Sequence, residues 1–521
     1  MKEVSTLGNL EDHIAYIYCK HCIFVVNYLY WRLVMKIYNS MTGKKEEFKP
    51  IKDGEVKMYA CGITVYDLSH IGHARQAIVY SMIKNYLEYR GYKVTYVRNY
   101  TDVDDKIINK ANTLGKNAIE FSREQIEETE KDMAGLHVAP ADIQTKASEY
   151  IDKIIDFVQK LIDKGYAYVA PNGDVYYSVR KFKDYGKLSH RNVDDMLNGV
   201  RIELEEGKED PIDFALWKSA KPGEISWDSP WGKGRPGWHI ECSAMALNTL
   251  GETIDIHGGG RDLLFPHHEN EIAQSEALTG KTFANYWSHC GLIKINGEKM
   301  SKSLGNSLTI RDALKMYDYE VIKYLMFSKH YGSDMDILDS DYLMSEKHMY
   351  YFYMSIKQMQ DFINTYGGNV SSGVLPDDIS EKIIPDFIEV MDDDFNTAAA
   401  LANLHGIFKY ANGIIKSAKK NTREQTANTL AKILKNIKEV YGILGLFTEK
   451  PEDFINKMKE KYLSKLNIDV SFVEDEISKR AEAKKSKDFE TADAIRSSLD
   501  EKGIILNDTA EGTVWDIKAL Y

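Results

Sequence analysis

Residues Val56 to Val97 read VKMYACGITVYDLSHIGHARQAIVYSMIKNYLEYRGYKVTYV. The stretch opens on a short apolar run, Val56–Cys61, with the composition of a strand. A glycine-bearing loop, Cys61–Gly72, follows. From Ala74 to Arg90 apolar residues recur at helical spacing: Ile78, Met82 and Tyr86 on one row, Val79, Ile83 and Leu87 on the next. Gly91 supplies the C-terminal stop, and Lys93–Val97 alternates like a second strand. Strand, loop, helix and strand in this order make a βαβ unit, which implies a parallel sheet. The expectation is therefore an α/β chain with a doubly wound domain.

Outward from this unit the texture changes several times. Ile107 to about Lys164 reads as a run of helices. Between Gly165 and Trp231 come short strands and turns rich in glycine, proline and acids, which read as an insertion. Gly237–Cys242 and Thr253–Ile256 return to short apolar strands and helix starts, so the first domain resumes. From about Met344 to Tyr441 the period is helical. A linker is expected near Glu449–Phe454, then a small unit with one charged helix (Asp475–Leu499) and two short strands (Ile504–Leu506, Thr513–Ile517). The expected division is an N-terminal extension (1–34), a first catalytic half (35–164), an insertion (165–231), a second catalytic half (232–343), a helical bundle (344–448) and a small mixed C-terminal domain (465–521).

Composition narrows the function classes. The chain has 521 residues, with 43% hydrophobic and 28% charged, a globular profile that is too long for one core. Its net charge of −12 argues against coating nucleic acid nonspecifically, while leaving room for a local basic surface. Five cysteines, an odd and sparse set, do not make a secreted disulfide framework, and reduced thiols in a cytoplasmic protein are expected. Ile14–Val34 is apolar and aromatic, but Lys20, His21, Asn27 and Arg32 interrupt it. It fits neither a membrane span nor a signal peptide, and residues 1–34 are expected to be dispensable or not translated in the cell, with Met35 as the true start.

Three sets of residues carry chemistry. The first is His70-Ile71-Gly72-His73, on the loop after the first strand. Ligands of open α/β sheets sit there, and free amides at a helix start suit phosphate. The second is Lys299-Met300-Ser301-Lys302-Ser303, bracketed by Gly297 and Gly305. Two lysines three apart can neutralise a departing pyrophosphate. Alone, the first reads equally well as a loop with two surface histidines, and the second reads better as a solvated basic loop. The third is FPHHENEIAQ, Phe265–Gln274. Pro266 suits a helix start, and His267 and Glu271, at i and i+4, share one helix face. Cys61 and Cys242 belong to segments expected at the same sheet edge. Two thiols, an imidazole and a carboxylate match tetrahedral zinc by ligand type. The long-range spacing matches two buried cysteines and a solvated His/Glu pair as well.

Together, HIGH (70–73) and KMSKS (299–303) form the double signature of class I aminoacyl-tRNA synthetases, and the chain resembles that class. YACGITVYDLSHIGHAR, NYTDVDDKI (99–107), PGWHIECSAM, DIHGGGRDLLFPHHENEIAQSEA and EKMSKSLGN are similar to the cysteinyl-tRNA synthetase family, and the resemblance runs from Met35 to the C-terminus. It implies a class I Rossmann-like catalytic domain that activates cysteine with ATP and Mg²⁺. His70, Gly72 and His73 would hold ATP, and Lys299 and Lys302 would act on the transition state and pyrophosphate. It implies one zinc ion on Cys61, Cys242, His267 and Glu271. Trp238 would floor the cysteine pocket, Thr101 would line it and His257 would lie near it. Cys290 receives no role. His268 and the remaining acids of FPHHENEIAQ are expected to support the site.

Met391–Leu404 resembles the family's anticodon-side bundle and Arg480–Trp515 its anticodon-reading unit. Arg480, Lys484, Lys485 and Lys487 there form either a local positive surface or an exposed helix with i,i+4 pairs. The implied partners are tRNA-Cys, cysteine and ATP, with no membrane, and the chain is expected to act as a monomer. Three rivals remain in view. A ligase joining cysteine to an amino sugar would not need the anticodon unit. A zinc hydrolase leaves HIGH and KMSKS without a purpose. A silent tRNA-binding homologue leaves Lys302, His70 and Cys61 without one.

Overall fold

The computed structural model describes residues 35–192, 207–295, 297–299, 307–367, 370–509 and 512–521. The N-terminal extension and Lys302 lie outside them.

Five parallel strands form the central sheet: β1 (Glu55–Thr64), β2 (Lys93–Thr101), β3 (Ile143–Lys146), β4 (Ile254–Gly260) and β5 (Ala284–Cys290). Their spatial order is β5-β4-β1-β2-β3. The order reverses direction between β1 and β4, and in a doubly wound sheet the ligand crevice lies outside the carboxyl ends of the strands at that point. Helices on both faces cover the sheet, and β4 is buried along nearly its whole length although Asp255 and His257 interrupt its apolar residues. The edge strand β3 interrupts what the sequence presents as an unbroken run of helices after Ile107. It is only four residues long, too short to show a period.

Helix α1 (Ile71–Tyr89) joins β1 to β2 and buries Ile71, Ala74, Ile78, Met82, Ile83, Tyr86 and Leu87. Each large side chain of that stripe contributes roughly 1.5–3 kcal/mol on leaving water. The insertion is a separate four-stranded antiparallel sheet of Ala167–Val169, Val175–Tyr177, Phe214–Ser219 and Gly234–Pro236 around Trp217. Its last strand lies beyond residue 231. Gly237–Cys242, read as apolar strand or helix start, is the opening of helix α2 (Trp238–Leu250). Helix α3 (Glu269–Thr279) follows β4.

After β5 the chain builds a small sheet from β6 (Ile293–Ile295), β7 (Glu298–Lys299) and β8 (Met335–Ile337). β6 pairs antiparallel with β7 and parallel with β8. The bundle comprises α4 (Asp339–Tyr366), α5 (Ile379–Asp392), α6 (Thr397–Ser417), α7 (Arg423–Tyr441) and α8 (Pro451–Leu466). It docks on the catalytic domain through contacts such as the Tyr86 phenol, which donates to the Asp392 carboxylate at 2.6 Å.

Two expectations are corrected here. The linker near Glu449–Phe454 is the start of α8: Pro451 is at its N-terminus, where a missing N–H costs nothing, and Phe454 is buried. The single charged helix 475–499 is two helices, Val470–Lys485 and Phe489–Glu501, broken at Lys487, whose φ is 64°.

Candidate active site and metal-ligating cluster

β1 is irregular where the chemistry begins. Its register against β2 shifts between Ala60 and Ile63, so Cys61 and Gly62 sit in a bulge. A Cβ on Gly62 would fall 1.7 Å from the Asn99 carbonyl oxygen, so only glycine permits this approach. The Gly62 amide donates to the Asn99 side chain at 2.8 Å. The sequence reading ended the strand at Cys61. It runs on to Thr64, and Cys61 occupies the bulge inside it.

Cys61 there meets three residues from two other segments. Ligand atoms of Cys61, Cys242, His267 and Glu271 all lie within 4.8 Å of one another, and all four residues are buried. Cys61 Sγ is 3.5 Å from His267 Nε2 and 3.2 Å from Glu271 Oε1, and His267 Nε2 is 3.0 Å from Glu271 Oε1. Tetrahedral zinc with sulfur, nitrogen and oxygen ligands has ligand–ligand edges of about 3.3–3.6 Å. The donor types and the spacing therefore both fit a zinc ion.

The electrostatics fit as well. Burial, and then its hydrogen bond with Cys242, pushes the Cys61 thiol up. That same hydrogen bond draws Cys242 down to about 6. Burial pulls His267 down, but the Glu271 carboxylate and Cys242 outweigh it and hold the ring at about 10. Burial pushes Glu271 up, but His257 and His267 outweigh that and keep it well below the carboxylate range. The pattern is one thiol, one thiolate, one imidazolium and one carboxylate, packed together out of water. A divalent cation bound there would take the place of protons on the thiol and the imidazole.

The rest of FPHHENEIAQ holds this cluster in place. His257 Nε2 lies 2.9 Å from Glu271 Oε2, which leaves Oε1 facing the thiol. His267 Nδ1 lies 2.9 Å from His239 Nδ1, a contact that fixes the ring and frees Nε2 as the ligand nitrogen. His268 Nδ1 lies 2.9 Å from His289 Nε2. Glu269 accepts from the Ser189 amide at 2.8 Å, and Asn270 accepts from the Tyr185 hydroxyl. Gln274 donates to Ser243 Oγ at 2.8 Å and to the His239 carbonyl at 3.0 Å. The Phe265–Pro266 peptide is cis.

A second trio, Cys61, His257 and His268, also lies within metal-holding distance. It shares Cys61 with the quartet and offers three donors, where the Cys/Cys/His/Glu set offers the four of a closed tetrahedron.

The other expected residues are distributed around the cluster. Trp238 opens α2, is 38% exposed, and its ring lies 4.4 Å from that of His267, covering the cluster from the open side. Thr101 is buried at the end of β2, opposite Thr64. His257 stacks on Trp287 at 4.5 Å. Cys290 is buried at the end of β5, away from the quartet.

His70 and His73 lie at the start of α1, at the same sheet edge. His70 Nδ1 accepts from the Gly72 amide at 3.1 Å, and His73 Nδ1 accepts from the His70 amide at 3.3 Å. The rings stack at 3.7 Å. With both Nδ1 atoms accepting, each neutral ring carries its proton on Nε2. The expectation of free amides at this helix start is corrected. The Ile71 amide is bound to the Leu308 carbonyl, the Gly72 amide to His70, and the His73 amide to the His70 carbonyl. All three amides at this helix start are therefore already engaged. Lys299 ends β7.

Sequence reasoning missed Tyr80 and Glu241. Tyr80, on α1, accepts from the Gly259 amide at 2.6 Å and donates to the Ser288 carbonyl at 2.8 Å. A Cβ on Gly258 would lie 2.3 Å from its ring, which accounts for the glycine run after His257. Glu241, beside Cys242, is fully buried, and burial first and Cys242 second push its carboxyl well above the usual range. An acid in an otherwise apolar helix turn is the one sequence signal for it.

The basic cluster of the C-terminal unit is also corrected. Arg480 is buried and gives Asp508 two hydrogen bonds, at 2.7 and 3.0 Å, and Lys484 reaches the same carboxylate at 2.8 Å. These two cations hold the helix to the terminal hairpin and do not pair along the helix, while Lys485 and Lys487 stay exposed.

A family model for the class I (C) tRNA synthetase catalytic domain matches residues 47–347, and one for the DALR domain matches residues 386–448. The structure resembles that of Mycobacterium tuberculosis methionyl-tRNA synthetase in complex with methionyl-adenylate, with a TM-score of 0.59 over 80% of this chain and 94% of that one. At 12% identity that likeness speaks for the fold. Sheet order and matched domains thus define a class I tRNA synthetase. A cysteine–tRNA ligase of Thermodesulfovibrio yellowstonii is 48% identical over 490 residues, 93% of this chain and all of that one. One of Geobacter metallireducens is 48% identical over 487 residues with the same coverage. The chain belongs to the cysteine–tRNA ligase family.

Proposed function

We propose that this chain joins cysteine to tRNA-Cys and that Cys61, Cys242, His267 and Glu271 hold one zinc ion that selects the substrate. The observation that carries the reading is the convergence of those four ligand atoms, from three separate segments, within 4.8 Å. As a member of its family the chain is an ATP-dependent ligase. A carboxylate oxygen of cysteine attacks the α-phosphorus of ATP, the bond to the β-phosphate oxygen breaks, and pyrophosphate leaves with the electron pair. The adenylate then acylates the 3′-terminal adenosine of the tRNA, releasing AMP.

Bound zinc supplies a thiophilic centre that takes a substrate thiolate and not the hydroxyl of serine, a distinction an apolar pocket makes poorly. Trp238 closes the pocket over that position, and Thr101 and His257 flank it. His70 and His73 donate their Nε2 protons to Mg·ATP. Lys299 and Lys302 neutralise the charge that develops on the departing pyrophosphate; for Lys302 the support is the KMSKS motif. Among the described residues no helix is long and apolar enough to cross a membrane.

Replacing Cys242 by serine tests the assignment of roles. Zinc content and cysteine activation should fall together while ATP affinity holds. An equal loss of ATP affinity would assign Cys242 to the nucleotide side and refute the reading.

A further inference from the structure

Arg75 follows the HIGH motif by two residues and is fully buried in the first turns of α1. Its guanidinium is held by main-chain carbonyls. Nη1 donates to Gly291 at 2.9 Å and Leu292 at 3.2 Å, and Nη2 donates to Ser333 at 2.7 Å, His330 at 3.4 Å and Tyr331 at 3.5 Å. A buried charge held by carbonyls alone, with its Nε left unpartnered, is an expensive way to pack a helix. Its acceptors explain what it does. Gly291–Leu292 leads from β5 into β6, and His330–Ser333 leads into β8. These two connectors feed the small sheet whose third strand ends on Lys299.

The connectors are also tied to each other. The Gly291 amide donates to the Tyr331 carbonyl at 2.8 Å, and the Leu292 amide to Asp334 Oδ1 at 3.0 Å. A Cβ on Gly291 would lie 2.1 Å from the Ser333 carbonyl oxygen, so the junction has no slack. Beyond the hairpin the chain returns to the HIGH loop: the Ile71 amide donates to Leu308 at 3.0 Å and the Ile310 amide to Ser69 at 2.9 Å. One planar fork on α1 thus grips both connectors of the sheet that carries Lys299, a few residues from the histidines at the start of the same helix.

We propose that Arg75 is a positioning residue that fixes the spacing between His70/His73 and the Lys299 hairpin, and thereby sets the rate of adenylate formation but not of transfer to tRNA. The inference rests on the proposed function, because the two segments need a fixed spacing only if both act on one ATP. Lysine is the informative replacement. It keeps the charge but has a compact ammonium with three donors in place of a rigid fork of five, and it cannot reach both connectors together.

The test compares wild type and Arg75→Lys, each normalised to its titrated active sites, in cysteine-dependent ATP–pyrophosphate exchange and in transfer from preformed cysteinyl-adenylate to tRNA-Cys. The expected result is a loss of about 100-fold in the exchange kcat, the scale of a misplacement of about 1 Å, with the KM for cysteine and the transfer rate unchanged. Should Arg75→Lys fail to fold, Asp334→Ala loosens the same junction from its more exposed side and should show the same selective loss, smaller in size. Equal losses in both steps, or fewer titratable sites with an unchanged rate per site, would make Arg75 merely structural and overturn the proposal. So would unchanged exchange in both variants. If wild type itself shows no exchange with cysteine, the proposed function fails first and this inference falls with it.

Discussion

Helices α1 and α3 follow neighbouring strands and begin at the same edge of the sheet, yet they are built on opposite chemistry. Apart from Arg75 and Tyr80, whose partners lie on other segments, α1 is held by an apolar stripe, and His70 and His73 join in a capping box at its N-terminus. α3 and the turn before it bury His267, His268, Glu269, Asn270, Glu271, Gln274 and Ser275. The first kind of helix is stabilised by additive, non-directional burial. The second depends on directional contacts, such as those of Glu271 with His257 and His267, staying in place. A change in the apolar stripe of α1 should therefore cost what its own atoms contribute. A change in α3 should cost its partners as well.

The largest expected effect is at Glu271. Glu271→Ala leaves His257 and His267 without their shared carboxylate. Destabilisation of about 3–5 kcal/mol is expected, together with loss of bound zinc, measured by denaturant unfolding and metal analysis of the same sample. A variant with native stability and full metal content would erase the contrast between the helices.

Next comes the bulge that presents Cys61. Gly62→Ala places a Cβ against the Asn99 carbonyl. The strand should shift at a cost of about 1–3 kcal/mol, and zinc affinity should weaken even though no ligand has changed. Competition with a chromogenic chelator reads that affinity. Unchanged affinity would mean that the bulge does not aim the thiol.

The smallest effect belongs to α1. Ile83→Val removes one buried methylene from its stripe and should cost about 0.5–1.5 kcal/mol, with zinc content and exchange activity intact. Loss of metal in this variant would show that the two helices are not energetically separate.

The same contrast governs how much could be read from the sequence. The βαβ unit was legible because Ile78, Met82 and Leu87 repeat at a helical period next to Gly91, all within one local window. The HIGH and KMSKS motifs were legible as strings of letters. The site needed the family resemblance, since Cys61, Cys242 and His267 are far apart in the chain and only the strand order brings them together. The His/Glu pair of α3 reads equally as solvated, because burial of charge by dedicated partners leaves no periodic trace. Tyr80 was hidden for a related reason: its partners are backbone groups of Gly259 and Ser288, which no side-chain pattern announces. Arg480 and Lys484 read as surface charge because their common partner, Asp508, arrives from a strand more than twenty residues later.

The most direct test of the central claim is ATP–pyrophosphate exchange with each amino acid in turn, before and after removal of zinc by a chelator. The account predicts exchange with cysteine alone, lost on chelation and restored by added zinc. Exchange with cysteine that survives complete removal of the metal, or exchange with serine at a comparable rate, would contradict the assignment of Cys61, Cys242, His267 and Glu271 as the selecting centre.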